Sequence, residues 1–307
     1  MRPVAILAAA LVLTPAAAAA PVPLPDAPGC PLFPATNVWN KPVNHLPVRS
    51  NSKTIVKSIG ANLPVHADFG SGLWNGGPIG IPITVVDSSQ ATSPVDFHYA
   101  DESDPGPYPI PNDVAIEGGP SSDGDRHAII VDSDSCELYE LYELYSLYRS
   151  WQAGSGAIWS LTSNALRPRG WTSADAAGLP ILPGLVRYEE VAAGHIDHAI
   201  RFTVSRSRRA YIYPARHYAS SRTSKALPPM GLRLRLRSNY PVASFPPQAR
   251  IVLKALRRYG MIVADNGTSW YLTGAPDPGW DNDQLHTLGK VKGSDFRVVD
   301  TRGFRNG

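Results

Sequence analysis

Several short apolar runs, bounded by polar and turn-forming residues, read as strands. Gly80 to Val86, Val95 to Tyr99 and His127 to Asp132 are rich in β-branched and aromatic residues. Turn clusters at Asp104-Pro105-Gly106-Pro107 and from Gly118 to Asp125 separate them. His195 to Val204 and Arg209 to Tyr213 are further strand candidates. The run from Gly231 to Arg237 alternates throughout, so Leu232, Leu234 and Leu236 face one way and Arg233, Arg235 and Arg237 the other. That pattern predicts a half-buried strand with one basic face.

Helical spacing is clearest near residues 247–259. Pro246-Pro247 opens the segment, and Ile251, Val252, Ala255, Leu256 and Tyr259 repeat at helical intervals. Arg257-Arg258 falls in the last turn, and Gly260 stops it. Beyond it, Met261 to Ala264 and Ser269 to Thr273 flank an Asn266-Gly267 turn signal and predict a hairpin. A second short helix is expected from Asp281 to Leu288. The repeat of Leu-Tyr pairs from Glu137 to Tyr148 has a period of three, which suits neither regular element over its full length. One strand followed by a protruding segment is expected there. No βαβ alternation is visible, which disfavours a parallel nucleotide-binding sheet. The fold class expected is mainly β: an antiparallel β-sandwich or jelly-roll-like single domain over residues 51–307, with one or two short α-helices. A Pro-rich extended arm, residues 21–50, would precede it.

Residues 1–20 stand outside this scheme. Arg2, an apolar run from Val4 to Leu13 and the alanines Ala16 to Ala20 have the order of a secretory signal peptide cleaved after Ala20. The run is too short to span a bilayer, and no other stretch is long enough. Without Arg2, 28 basic side chains face 26 acidic ones, a balance that argues against nucleic acid as a partner. Export makes Cys30 and Cys136 a candidate disulfide, tying the arm to the body. With 43% apolar residues the chain can build a packed core.

No nucleophile elbow, zinc-protease motif or phosphate loop occurs. Three constellations remain. The first runs from Arg167 to Pro180 and sets Arg169, Trp171, Thr172, Ser173 and Asp175 among small residues. Asp175 could serve there as an acid, a base or a sugar-hydroxyl acceptor, or merely cap a turn over Ala176-Ala177. The second sets Glu117 before a Gly-rich turn and His127 after it, which could place a carboxylate and an imidazole at one rim. A solvated acidic turn is the plainer alternative. The third is His195-Ile196-Asp197-His198, with His217 one hairpin further on. His198 and His217 could share a divalent metal with a carboxylate, although a His among apolar neighbours is commonly a core residue. No cofactor is otherwise expected.

Trp39, Trp74, Trp151, Trp159, Trp171, Trp270 and Trp280 include several loop positions, and loop aromatics stack on sugar rings. The arginines between residues 200 and 240 would suit an anionic glycan, or pair with acids of residues 132–143. Asn37 to Pro42, Trp171 to Pro180 and Tyr259 to Gly267 resemble segments of a family of secreted bacterial proteins with no assigned activity. The resemblance implies export and one contiguous domain, and no residue role. Together these features point to a secreted carbohydrate-active enzyme, a glycoside hydrolase acting as a monomer on an extracellular polysaccharide or cell-wall glycan. Asp175, Glu117 and His127 would be catalytic, and Trp171, Trp159, Arg169, Arg216 and Asp265 would bind substrate. A polysaccharide lyase and a non-catalytic glycan binder are the alternatives.

Overall fold

A computed structural model describes residues 21–148 and 150–306, and the expected signal peptide lies outside them. The chain is mainly β, in several sheets with few short helices. A six-stranded sheet has the order His66–Asp68, Tyr271–Thr273, Ile200–Val204, Met261–Asn266, Arg233–Leu236, Phe296–Val298. A four-stranded sheet has the order Ser155–Ser160, Glu137–Tyr142, Ala128–Asp132, Ile83–Val86. Smaller ribbons are Val95–Phe97 with Ser150–Ala153 and Tyr145–Leu147, and Leu73–Trp74 with Gly77–Pro78.

The sheets are mixed and not purely antiparallel. Ile200–Val204 runs parallel to Met261–Asn266, and Ile83–Val86 runs parallel to Ala128–Asp132. The first pairing is made possible by a long crossover that contains the helix Pro247–Arg258. That helix buries Ala249, Val252, Leu253 and Leu256 in the same apolar cluster as Ile200, Phe202 and Val263 of the sheet. The expected hairpin after it does not form. Ile200–Val204 lies between Met261–Asn266 and Tyr271–Thr273 and pairs with both. Gly267 and Trp270 donate their amides to Val204 and Thr203, so the Asn-Gly loop wraps over the intervening strand. Arg209 to Tyr213 forms only a bridge, Tyr211 to Met230. Four α-helices occur among the described residues, Ser52–Ile59 and Tyr188–Ala193 being additional to those expected and Asn282–His286 lying within the span expected from Asp281 to Leu288.

Strand alternation organises the four-stranded sheet. Ile129 and Val131 face a cluster with Leu24, Leu32 and Phe33 of the N-terminal arm, while Ala128 and Ile130 face Val95, Tyr108 and Ile110. The arm is therefore core and not a periphery. Leu24, Leu32, Phe33, Trp39 and Val43 are all buried, and the Cys30–Cys136 disulfide joins the arm to the sheet. Sulfur chemistry of this kind is consistent with an extracellular location, and among the described residues no helix is long and apolar enough to cross a membrane.

The basic face of residues 233–237 is covered at Arg233 and partly open at Arg235 and Arg237. Arg233 is buried and donates to the carbonyls of Val38, Lys41 and Tyr259, and burial pushes its guanidinium down to about 9. Arg237 pairs with Asp295. Arg235 is half-buried beside Arg297, and among the described residues none of the three arginines forms an ion pair with residues 132–143. The repeat from Glu137 does divide into a strand, Glu137–Tyr142, and an exposed segment around Tyr145–Leu147.

Candidate functional site

Residues 171–186 run between the two larger sheets. Ala177 donates to Ala264 of the six-stranded sheet, and the amides of Ile181 and Leu182 donate to the Glu140 carboxylate of the four-stranded one. A row of buried charge lies along this seam.

Arg201 stands at its centre. Its Nε lies 3.0 Å from Asp175 Oδ2, Nη1 donates to Thr273 Oγ1 at 2.8 Å, and Nη2 lies 3.3 Å from Asp265 Oδ2. The sheet explains this convergence. Asp68 pairs with Thr273 across the parallel edge, and Phe202 pairs with Leu272, which sets Arg201 opposite Thr273. On the other side Phe202 pairs with Val263 but Thr203 with Asp265, so Ala264 is a bulge. The extra residue turns Asp265 onto the face of Arg201, where the uninterrupted alternation would have placed Ala264.

Glu117 and His127 meet on the four-stranded side. His127 Nδ1 is 2.5 Å from Glu117 Oε2, and its Nε2 is 3.0 Å from the Ala174 carbonyl. Both partners accept, so the ring carries both protons. Burial alone would lower His127, but the Glu117 charge holds it at about 9. Burial would raise Glu117, yet His127 and then Arg201 bring it below the ordinary carboxylate range.

Glu117 opens on its other side into a cleft of about 530 Å³, which Asp68, His66, Trp74, Tyr271 and His286 also line. Asp68 is pushed up by the desolvation of its recess and by the Glu117 charge. One carboxyl is therefore moved up and its neighbour down within a single cleft. His66 stacks on Tyr271 at 4.2 Å, and burial lowers its pKa. Trp74 is 73% exposed at the rim. Its ribbon is pressed against the Glu117 turn: a Cβ on Gly77 would lie 1.9 Å from the Gly118 carbonyl oxygen, so only glycine allows the approach.

A second cleft, about 360 Å³, lies beyond Arg201 and is lined by Asp265, Asp125, Glu102, His217, Tyr99 and Tyr142. Burial and the Asp175 charge push Asp265 up to about 7. His217 directs Nδ1 at the Ala176 carbonyl, 2.9 Å away, and Nε2 toward Glu102 at 3.9 Å.

Among the residues expected to act, Glu117 and His127 touch each other, whereas Asp175 is fully buried behind Arg201 and lines neither cleft. Asp265 faces the smaller cleft. Trp159 is buried in the core and Trp171 is half-buried, and the two rings flank the Arg167 guanidinium at 5.7 and 5.4 Å. Arg216 donates Nε to the Arg167 carbonyl, and Arg169 is exposed. His198 is buried between the Glu190 carboxylate and the Ala199 carbonyl, with contacts separate from those of His217. Among the described residues no group of three or more His, Cys, Asp or Glu is arranged for a metal. Sequence reasoning did not single out Asp68 or Glu140, and it read Arg201 only as one arginine of the basic segment 200–240, on the strand face of His195 and Asp197. Glu140 is fully buried, and burial pushes it up to about 7 despite its two amide donors.

The chain matches no family model, no curated protein and no solved structure. The chemistry of the seam is therefore read from its own residues.

Proposed function

We propose that the protein is a secreted carbohydrate-active enzyme, a glycoside hydrolase that cuts an extracellular polysaccharide or cell-wall glycan in the Asp68–Glu117 cleft. The observation that carries this reading is the opposite displacement of two carboxyls lining one cleft. Such a split assigns roles. Asp68, held protonated to higher pH, donates its proton to the glycosidic oxygen as the bond to the anomeric carbon breaks. Glu117, held ionised by His127, faces the positive charge that develops on the sugar ring. His127 acts through Glu117 and is a positioning residue. Asp175 acts through Arg201 in the same sense. Trp74 at the rim supplies an apolar face for a sugar ring, and the His66–Tyr271 stack supplies another part of the wall. Water then adds to the anomeric carbon and its released proton returns to the Asp68 carboxylate, so the cycle consumes only water and calls on no cofactor.

The test uses the protein spanning residues 21–307 on a panel of neutral and uronic-acid polysaccharides, with and without chelator. New reducing ends without ultraviolet absorbance are the expected result. Absorbance from an unsaturated product would replace hydrolysis with elimination. Retention on one polymer without any product would reduce the protein to a glycan binder.

A further inference from the structure

We propose that a second cavity beside the carboxylate cleft is a distal subsite for the same glycan chain, so that the substrate is an internal stretch of polymer and not a terminal sugar. The inference rests on the glycoside hydrolase reading and extends it to substrate length.

This cavity measures about 550 Å³ and lies against Asn112, Asp113, Ile116, Arg126, Tyr145 and Trp151. It adjoins the carboxylate cleft directly. Pro78 lines both, and the single turn from Ile116 to Gly119 walls both, with Ile116 and Gly119 on one side and Glu117 and Gly118 on the other. The two cavities thus lie on either side of the Gly77–Gly118 contact, and a chain bound at Glu117 that continues over this contact reaches the second cavity.

The lining suits sugar. Tyr145 lies over the Arg126 guanidinium, 4.3 Å from its centre, and that guanidinium is buried and fixed by the carbonyls of Pro120, Ser122 and Leu144. The arrangement holds an exposed ring rigid in the segment that projects beyond Glu137–Tyr142. A ring already ordered loses little freedom when a sugar stacks on it. Trp151 adds a second aromatic. The Asn112 amide, the Asp113 carboxylate and the Trp151 indole N–H make no side-chain hydrogen bond among the described residues, which leaves them for sugar hydroxyls. The two cavities have comparable volumes, and each falls in the range that holds a small ligand. Neither cavity alone fits a long chain.

The probe is an array of neutral and uronic-acid oligosaccharides graded from disaccharides to octasaccharides, read for affinity and for products. Wild type, Tyr145→Ala, Tyr145→Phe and Asp68→Asn are compared. Wild-type affinity should rise with length beyond the disaccharides. Tyr145→Ala should lose about tenfold in affinity for the long members and leave the short ones unchanged, while Tyr145→Phe retains the ring and the long-chain affinity. Asp68→Asn should bind all lengths as wild type does and release product at least about a hundredfold more slowly. A Tyr145→Ala variant equal to wild type at every length, or weakened equally at every length, overturns the subsite while the hydrolase reading stands. Failure of the wild type to bind any member overturns the hydrolase reading, and the subsite falls with it.

Discussion

His127 Nδ1 lies 2.5 Å from Glu117 Oε2, and the imidazole is buried while 27% of the Glu117 side chain remains exposed. The pair thus has one end sealed in protein and one end open to the larger cleft. His127 titrates in the fold at about 9, above the 6.5 of an unfolded chain. Its stabilisation is complete below 6.5 and is lost as the pH rises through 9. Glu117 is lowered below 4.5, so its stabilisation is present above that value and disappears on acidification. The pair stabilises most between these limits. Melting temperatures measured against pH should fall on the alkaline side, and His127→Gln should melt lower at pH 6 and lose much of that alkaline slope. An unchanged slope would show that the imidazolium contributes nothing there.

For turnover, Glu117→Gln and Asp68→Asn should each cost roughly a hundredfold to ten-thousandfold, the range of a general acid or base. The wild-type rate should rise as Glu117 ionises at low pH and fall as Asp68 loses its proton above the usual carboxylate range. The optimum is therefore acidic. Trp74→Ala should raise KM with little change in kcat, because the ring touches substrate away from the reacting bond.

Much of the fold was legible because it follows local chemistry. The helix Pro247–Arg258 has its Pro start and its apolar stripe, and Leu232, Leu234 and Leu236 are all buried on one face. The seam was only half legible. Glu117 and His127 stand on either side of one Gly-rich turn, and the sequence places them together. Arg201 and Asp68 are more than a hundred residues apart, and only the strand order brings them to one row through Thr273. Asp265 needs the bulge at Ala264 to reach Arg201, and nothing in Val263-Ala264-Asp265-Asn266 announces it. Glu140 was hidden by its own repeat: it looks like Glu137 and Glu143, yet strand alternation turns it inward beside Leu138. Arg233 was misread for the matching reason, since the side of its strand opposite the leucines is covered by residues 38–41.

The disulfide closes a separation of 106 residues and anchors an arm whose apolar side chains fill one face of the four-stranded sheet. The chain-entropy model gives about 4–5 kcal/mol for a loop of that length. Replacing both cysteines by serine should lower the unfolding free energy by about that amount in urea. A change below about 1 kcal/mol would mean that the arm is held by packing alone.

Asp265 gives a prediction of the opposite sign. Its carboxyl, raised from 3.8 to about 7 by burial and by Asp175, contributes stability that is fully present below 3.8 and is lost as the pH rises through 7. Asp265→Asn removes the penalty and keeps the shape. It should melt a few degrees above wild type at pH 8 and match it at pH 4. A lower melting temperature at pH 8 would show that the contact with Arg201 outweighs the desolvation.

Asp175 and Arg201 separate a positioning role from a catalytic one. Asp175 is fully buried, and its oxygens lie 3.0 and 3.4 Å from the Arg201 guanidinium. Arg201→Met leaves the buried Asp175 carboxylate and the partly exposed Asp265 one without their cation, and breaking such a buried pair typically costs about 3–5 kcal/mol. Asp175→Asn is milder, because Asp265 remains beside Arg201, and it also removes the neighbour that raises Asp265. In that variant the stability drop assigned to Asp265 should move to lower pH, and the acid limb of the rate profile should shift only slightly. Melting curves against pH and pH–rate profiles on the same preparations check both. If Asp175 itself passed a proton to substrate, Asp175→Asn would abolish turnover as well as move the Asp265 transition, and the roles of Asp68 and Asp175 would exchange.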